Sequence, residues 1–172
     1  VVERRGKIST FPTSGDVEAA DLVIDLQALH PKLDNAYGIA LHPKFRENRQ
    51  IFVCYTFPDD VEDGTKLARF TLASLDPPRA DPASEEIILT WRSGGHNGGC
   101  LRFGPDGYLY ISTGDAGPAA PPDPLNTGQD TSDLLSSILR IDIDHRDPGK
   151  NYRVPPDNPW FSRGAPPAGS AT

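Results

Sequence analysis

A chain of 172 residues with 18 Pro, 16 Gly, 37% hydrophobic and 8% aromatic residues describes one turn-dense globular domain, not a helical bundle or a disordered tail. A formal net charge of −7 with no run of Lys or Arg lacks the electrostatic footprint of nucleic-acid or anionic-membrane binders, so neither partner is expected. No stretch approaches the roughly 20 apolar residues of a membrane span, and Val1-Val2-Glu3-Arg4-Arg5 has no apolar core of the signal-peptide kind.

In chain order, short runs rich in Val, Ile, Leu, Phe and Tyr stand between Pro, Gly and Asp turn signals and predict strands. They are Lys7–Phe11, Asp21–Leu26, Gly38–Pro43, Ile51–Thr56, Lys66–Leu72, Glu86–Trp91, Cys100–Gly104, Tyr108–Thr113 and Ser137–Ile143. Helical periodicity is scarce. Its best candidate, Asp130–Arg140, is interrupted by Ser136-Ser137 and runs into alternating Ile138–Ile143, which reads as strand.

The runs repeat. Gly38–Pro43 aligns with Cys100–Pro105, each leading through a turn into a second strand, and Lys66–Leu72 aligns with Ser137–Ile143 around a shared central arginine. Glu86–Trp91 supplies a fourth strand, and Lys7–Phe11 with Asp21–Leu26 supplies an earlier third and fourth pair. Units of about 60 to 70 residues with four strands each predict an all-β fold built of propeller blades. The blades are expected at 1–30 (partial), 31–95 and 96–160, with 161–172 a truncated loop. Two and a half blades do not close a ring of four to eight, and the chain contains no Met, so it reads as a cut piece.

Cys54 and Cys100 fit neither a zinc ligand set nor a disulfide framework. A disulfide between them stays open as an alternative to the simpler reading of two small buried hydrophobes. There is no C-x-x-C-H haem signature.

Chemistry concentrates around one hairpin. Cys100–Gly104 and Tyr108–Thr113 flank Pro105-Asp106-Gly107, in which proline fixes φ and glycine accepts a positive φ. His96 and Asp115 lie symmetrically about the point between residues 105 and 106, so an antiparallel ribbon brings them opposite each other at its open end. Opposed residues have Cβ atoms about 4.5 to 5.5 Å apart, close enough for a carboxylate to fix the imidazole tautomer and leave the other ring nitrogen as a base. Gly94, Gly95, Gly98, Gly99, Gly114 and Gly117 surround the pair and are expected to leave room for a ligand. Without G-x-G-x-x-G or a P-loop, and with no long helix following, nucleotide binding is excluded.

His96-Asn97-Gly98-Gly99, Phe103-Gly104-Pro105-Asp106-Gly107-Tyr108-Leu109-Tyr110, Thr113-Gly114-Asp115 and Leu139-Arg140-Ile141-Asp142 resemble the PQQ-dependent glucose/sorbosone dehydrogenase family in order and spacing. Tyr37–Phe45 resembles the preceding blade of that family. The resemblance implies a six-bladed β-propeller that oxidises an aldose or related sugar. His96 would take the hydroxyl proton and Asp115 would orient it, while hydride passes to the quinone. It also implies PQQ and calcium as cofactors, a cytochrome or quinone as electron acceptor, and a periplasmic or secreted location. The family's glutamines near cofactor and substrate are replaced around Leu33–Asn35 and at Ala119-Ala120, and the arginine after the histidine loop is Cys100. The cationic residues that grip the cofactor, and the calcium ligands, would lie beyond Thr172.

Two rival functions follow from the same pattern. One is a calcium-dependent lactonase-type hydrolase using loop carboxylates such as Asp123, Asp130 and Asp133; these read more simply as turn caps, and no D-x-D-x-D-G loop exists. The other is a non-catalytic propeller that binds protein or carbohydrate. His30, His42 and His145 read as turn residues, and Trp91 and Trp160 as packing residues.

Overall fold

The expected runs become ten strands: β1 (Lys7–Thr10), β2 (Asp21–Asp25), β3 (Asn35–Leu41), β4 (Gln50–Thr56), β5 (Thr65–Leu75), β6 (Pro78–Ala80), β7 (Glu86–Trp91), β8 (Gly98–Phe103), β9 (Leu109–Thr113) and β10 (Ile138–Ile141). The structure, a computed structural model, describes residues 1–13 and 15–159. Helix among the described residues is limited to α1 (Leu26–Leu29), α2 (Phe45–Asn48) and two single 3-10 turns. The Asp130–Arg140 segment forms turns leading into β10. Trp160 lies outside the described residues.

The strands pair as antiparallel meanders. β3, β4, β5 and β7 hydrogen-bond in that order, β8, β9 and β10 form a second sheet, and β1 pairs with β2. The aligned segments therefore occupy equivalent places, β3 with β8 and β5 with β10. The sequence runs miss β6, a three-residue strand paired to the extension of β5 through Leu72↔Ala80. It lies among prolines, which interrupt any strand pattern.

Two-sided burial explains why β4 is nearly all apolar. Ile51, Val53 and Tyr55 enter a core shared with β1 and β2, whereas Phe52 and Cys54 enter a second core shared with β8 to β10. The period of two in a strand sends alternate residues to opposite faces, so the middle sheet is sandwiched between its neighbours. β3 carries a register shift between Ala36 and Gly38. Across it the parity reverses, and Ala36 joins the first core while Ala40 joins the second.

Sheet edges meet along β3 and β8. A Cβ on Gly38 would overlap the Gly99 carbonyl oxygen, and at the other end of the same strands His42 packs edge-on against Phe103 with centroids 5.6 Å apart. The two strands thus run side by side in one direction, and their first residues open on a single face. Through the pairs Asn35↔Thr56, Thr56↔Thr65 and Thr65↔Trp91, that face extends outward to the end of β7.

Candidate active site

His96 and Asp115 meet, but by a route that turn symmetry alone does not give. Near the tip the pairs are Phe103↔Leu109, Arg102↔Tyr110 and Leu101↔Ile111, a register centred on Asp106. Gly99 and Cys100 then stand together opposite Ser112, whose Oγ accepts the Cys100 N–H at 3.1 Å. Beyond this bulge the pair is Gly98↔Thr113, so the register has moved by one residue. In the shifted register His96 falls opposite Asp115. A second irregularity follows, since Ala116 N–H donates to the His96 carbonyl (3.0 Å) and His96 N–H donates to the Gly117 carbonyl (3.1 Å). Ala116 adopts φ 53° there.

The His96 Nδ1 to Asp115 Oδ1 distance is 3.1 Å. Asp115 Oδ1 also accepts the Gly117 N–H at 2.8 Å, and Oδ2 accepts the Asp123 N–H at 3.1 Å. The Gly117 N–H, followed by His96 and the Asp123 N–H, holds the Asp115 carboxyl below its ordinary value against some desolvation. An ionised carboxylate can only accept, so Nδ1 is the donor and the neutral ring carries its lone pair on Nε2. Nε2 has no hydrogen-bond partner among the described residues, and the His96 side chain is 50% exposed while Asp115 is 15% exposed. The pair presents a basic nitrogen to solvent from a carboxylate that is fixed in place.

Asp123 continues the network. Its Oδ1 accepts the Thr127 N–H and hydroxyl at 2.7 and 2.9 Å, and Oδ2 accepts the Gly128 N–H at 2.9 Å. These bonds, the Gly128 and Thr127 N–H groups first, lower its carboxyl pKa. On the other side of His96, Asn97 is 5% exposed. Its side chain closes the turn on Gly94 (Oδ1 from Gly94 N–H, 2.8 Å; Nδ2 to Gly94 carbonyl, 2.6 Å) and donates to Tyr37 Oη at 3.1 Å. Asn97 and Tyr37 thus fix the histidine turn to β3. Both stand in segments that carry the family resemblance, but no local pattern shows that they meet, because they lie 60 residues apart.

Several expectations are corrected. The glycines do not clear space for a ligand. A Cβ on Gly94 would overlap the Ala116 carbonyl, on Gly95 the Gly117 carbonyl and on Gly114 the His96 carbonyl, so they permit two backbone segments to approach. Cys54 is buried, which pushes its thiol up to about 12, but Cys100 is exposed and neither is bridged. Nor are the remaining histidines mere turn residues. His30 Nε2 meets Glu85 at 2.9 Å beside Tyr55, His42 Nε2 meets Asp144 at 3.1 Å, and His145 Nδ1 meets Asp142 at 2.9 Å. A carboxylate partner is therefore common to all four histidines. What separates His96 is its place at the open end of β8, with Nε2 free on the face where β3 and β8 begin.

Asp130 and Asp133 behave as turn caps, accepting from Ser132 and Leu135 N–H respectively, and Asp123 serves its own loop. Among the described residues no group of three or more His, Cys, Asp or Glu could hold a metal ion. Trp91 packs into the second core. Of the replaced positions, Leu33 is buried in the first core while Ala119 and Ala120 are exposed. No Lys or Arg side chain bonds to His96, Asp115 or Asn97 among the described residues. What this pair could offer a bound quinone and its substrate is one unpartnered ring nitrogen, Nε2 of His96.

One four-stranded meander (β3, β4, β5, β7) flanked by the three-stranded β8–β10 sheet and the β1–β2 pair, with β3 and β8 side by side in one direction, has the layout of neighbouring β-propeller blades. The same architecture is seen in the PQQ-bound aldose sugar dehydrogenase of Streptomyces coelicolor, which superposes with a TM-score of 0.64 at 21% identity over 88% of this chain and 45% of that one. The chain belongs to the glucose/sorbosone dehydrogenase family, whose family model matches residues 1–168. Relatives include the mouse (Mus musculus) Hedgehog-interacting protein, 30% identical over 73% of this chain and 19% of its own length. Another is quinoprotein glucose dehydrogenase B of Acinetobacter calcoaceticus, 24% identical over 88% of this chain and 34% of its own length. The chain thus spans between about a fifth and a third of these curated relatives.

Proposed function

We propose that the protein containing this chain is a PQQ-dependent dehydrogenase of an aldose or a related sugar or alcohol, with His96 as general base and Asp115 as its orienting partner. The observation that carries this reading is the free Nε2 of His96, fixed by an Nδ1 bond to a carboxylate held ionised by backbone N–H groups. The substrate hydroxyl gives its proton to Nε2, and the imidazolium so formed is stabilised by Asp115 without proton transfer to it. Bound PQQ would supply the two-electron oxidant for the carbon that bears this hydroxyl, to be reoxidised by an acceptor such as a cytochrome or quinone. Calcium would take ligands from outside the described residues, and the setting proposed is periplasmic or secreted.

The test uses the full-length protein with PQQ, calcium, a panel of aldoses and a dye acceptor. His96→Ala should lower kcat by about 10²-fold or more; unchanged turnover would remove the mechanism. A second reading has a specific basis, because His30, His42 and His145 also carry carboxylate partners and one relative is named for a protein interaction. On that reading the propeller is a binding platform, and the full-length protein neither binds PQQ nor oxidises any sugar offered.

A further inference from the structure

On the face where β3 begins lies a cavity of about 420 Å3 lined by Arg4, Arg5, Gln27, Leu33, Asp34 and Asn35. Its lining carries two cations and one anion in a chain whose net charge is −7. Arg4 is held in place: its carbonyl accepts the Ala36 N–H at 2.8 Å, and its Nε donates to Asn35 Oδ1 at 3.0 Å. Asn35 is oriented in turn by donating Nδ2 to Asp34 Oδ2 at 2.6 Å. Spending Nε on Asn35 leaves the two terminal nitrogens of Arg4 without a protein partner among the described residues. Neither Arg4 nor Arg5 has a carboxylate within ion-pair distance there, which they share with Arg46, Arg49, Arg92 and Arg102 but not with Arg69, Arg79, Arg140, Arg146 or Arg153; what sets Arg4 apart is that its Nε is fixed at the rim of the cavity.

A positioned guanidinium with free terminal N–H groups is matched in geometry by a carboxylate, which it binds through parallel charge-assisted bonds. The cavity opens at the start of β3, on the same face as the histidine turn at the start of β8. Tyr37 is two residues from Asn35 along β3, roughly 7 Å at strand spacing, and its hydroxyl meets Asn97, the neighbour of His96.

We propose that Arg4 and Arg5 form a carboxylate subsite of the active face, so that the preferred substrates are sugar acids rather than neutral aldoses. The sugar identity rests on the dehydrogenase reading above; recognition of the carboxylate by Arg4 and Arg5 does not. The cofactor's own carboxylates are the other source of that chemistry, and the measurements below separate the two.

The experiment is calorimetric titration of the full-length protein with D-glucuronate and with D-glucose, in the presence and absence of PQQ, alongside PQQ binding followed by absorbance. Glucuronate should bind about tenfold or more tighter than glucose. The Arg4→Ala/Arg5→Ala double variant should lose that preference while glucose and PQQ affinities stay as they were. Arg5 has no side-chain bond within the described residues, so Arg5→Gln provides a variant with little risk to folding and should lose part of the preference. Equal binding of both sugars, or a preference that survives the double substitution, overturns the subsite. So does a loss of PQQ affinity with the sugar preference intact, which would assign the arginines to the cofactor. His96→Ala should keep the preference. Arginine-dependent glucuronate binding without turnover would therefore sink the dehydrogenase reading alone, and turnover of aldoses with no arginine-dependent preference would sink the subsite alone.

Discussion

Asp115 has two consequences that can be measured separately. As the acceptor of His96 Nδ1–H it sets which ring nitrogen is basic, so Asp115→Asn should lower kcat by about 10²- to 10⁴-fold with little change in KM. A parallel loss in KM would mean that the loop had collapsed instead. As a carboxylate held by the Gly117, His96 and Asp123 donors its pKa is lowered, and Asp123 is lowered likewise by Gly128 and Thr127. A depressed folded pKa stabilises the loop above the ordinary carboxylate value of about 3.9 and loses that contribution as pH falls through the lowered value. The Gly117 and Gly128 amide NMR shifts should accordingly titrate with midpoints below about 3.9. Midpoints at or above it would refute the network. At this scale the pair was legible because both partners belong to one hairpin. Asn97 and Tyr37 were not, since nothing local distinguishes a buried asparagine that spans two sheets.

The strands were legible wherever one sheet face or both were buried, because β-branched and aromatic runs end sharply at Pro-Asp-Gly or similar turns. β6 escaped because Pro78 lies within it, and the four-residue α1 and α2 are too short to show a period. The bulge at Gly99-Cys100 is the most consequential miss. Symmetry about the turn names the correct partners for His96 only because this bulge moves the register by one residue. The adjacent Gly98 (φ 72°) and Gly99 (φ 93°) were its only sequence signal. The cost of crowding should exceed the cost of conformation alone. Gly114→Ala drives a methyl into the His96 carbonyl and should destabilise by more than about 3 kcal/mol. Gly107→Ala, at φ 81° with open space around it, should cost about 1 kcal/mol. Chemical denaturation would check the order, and equal losses would contradict the close approach. The bulge also predicts that an alkylating reagent labels Cys100 in the native protein while Cys54 reacts only on unfolding, as peptide mapping would show.

The seams between sheets raise the question of whether packing or charge holds neighbouring blades together. His42 is 3% exposed, its ring packs with Phe52 and Phe103 in a three-ring cluster, its Nδ1 accepts the Lys44 N–H at 2.9 Å, and its Nε2 reaches Asp144 in the bend after β10. Because Nδ1 accepts, Nε2 must be the donor, so the neutral ring satisfies both neighbours. Asp144 is about half exposed, and Lys44 is its second partner at 3.6 Å. Solvent screening leaves an exposed ion pair worth less than about 1 kcal/mol, whereas removing a buried ring packed on two aromatics leaves a cavity and an unsatisfied Lys44 N–H. His42→Ala should therefore cost about 2–4 kcal/mol, and Asp144→Asn less than about 1 kcal/mol. Comparable losses from the two substitutions in denaturant unfolding would place the seam's strength in its charges. The expected inequality places it in the packed ring, with the carboxylate acting to fix the ring's tautomer and not to bind the sheets.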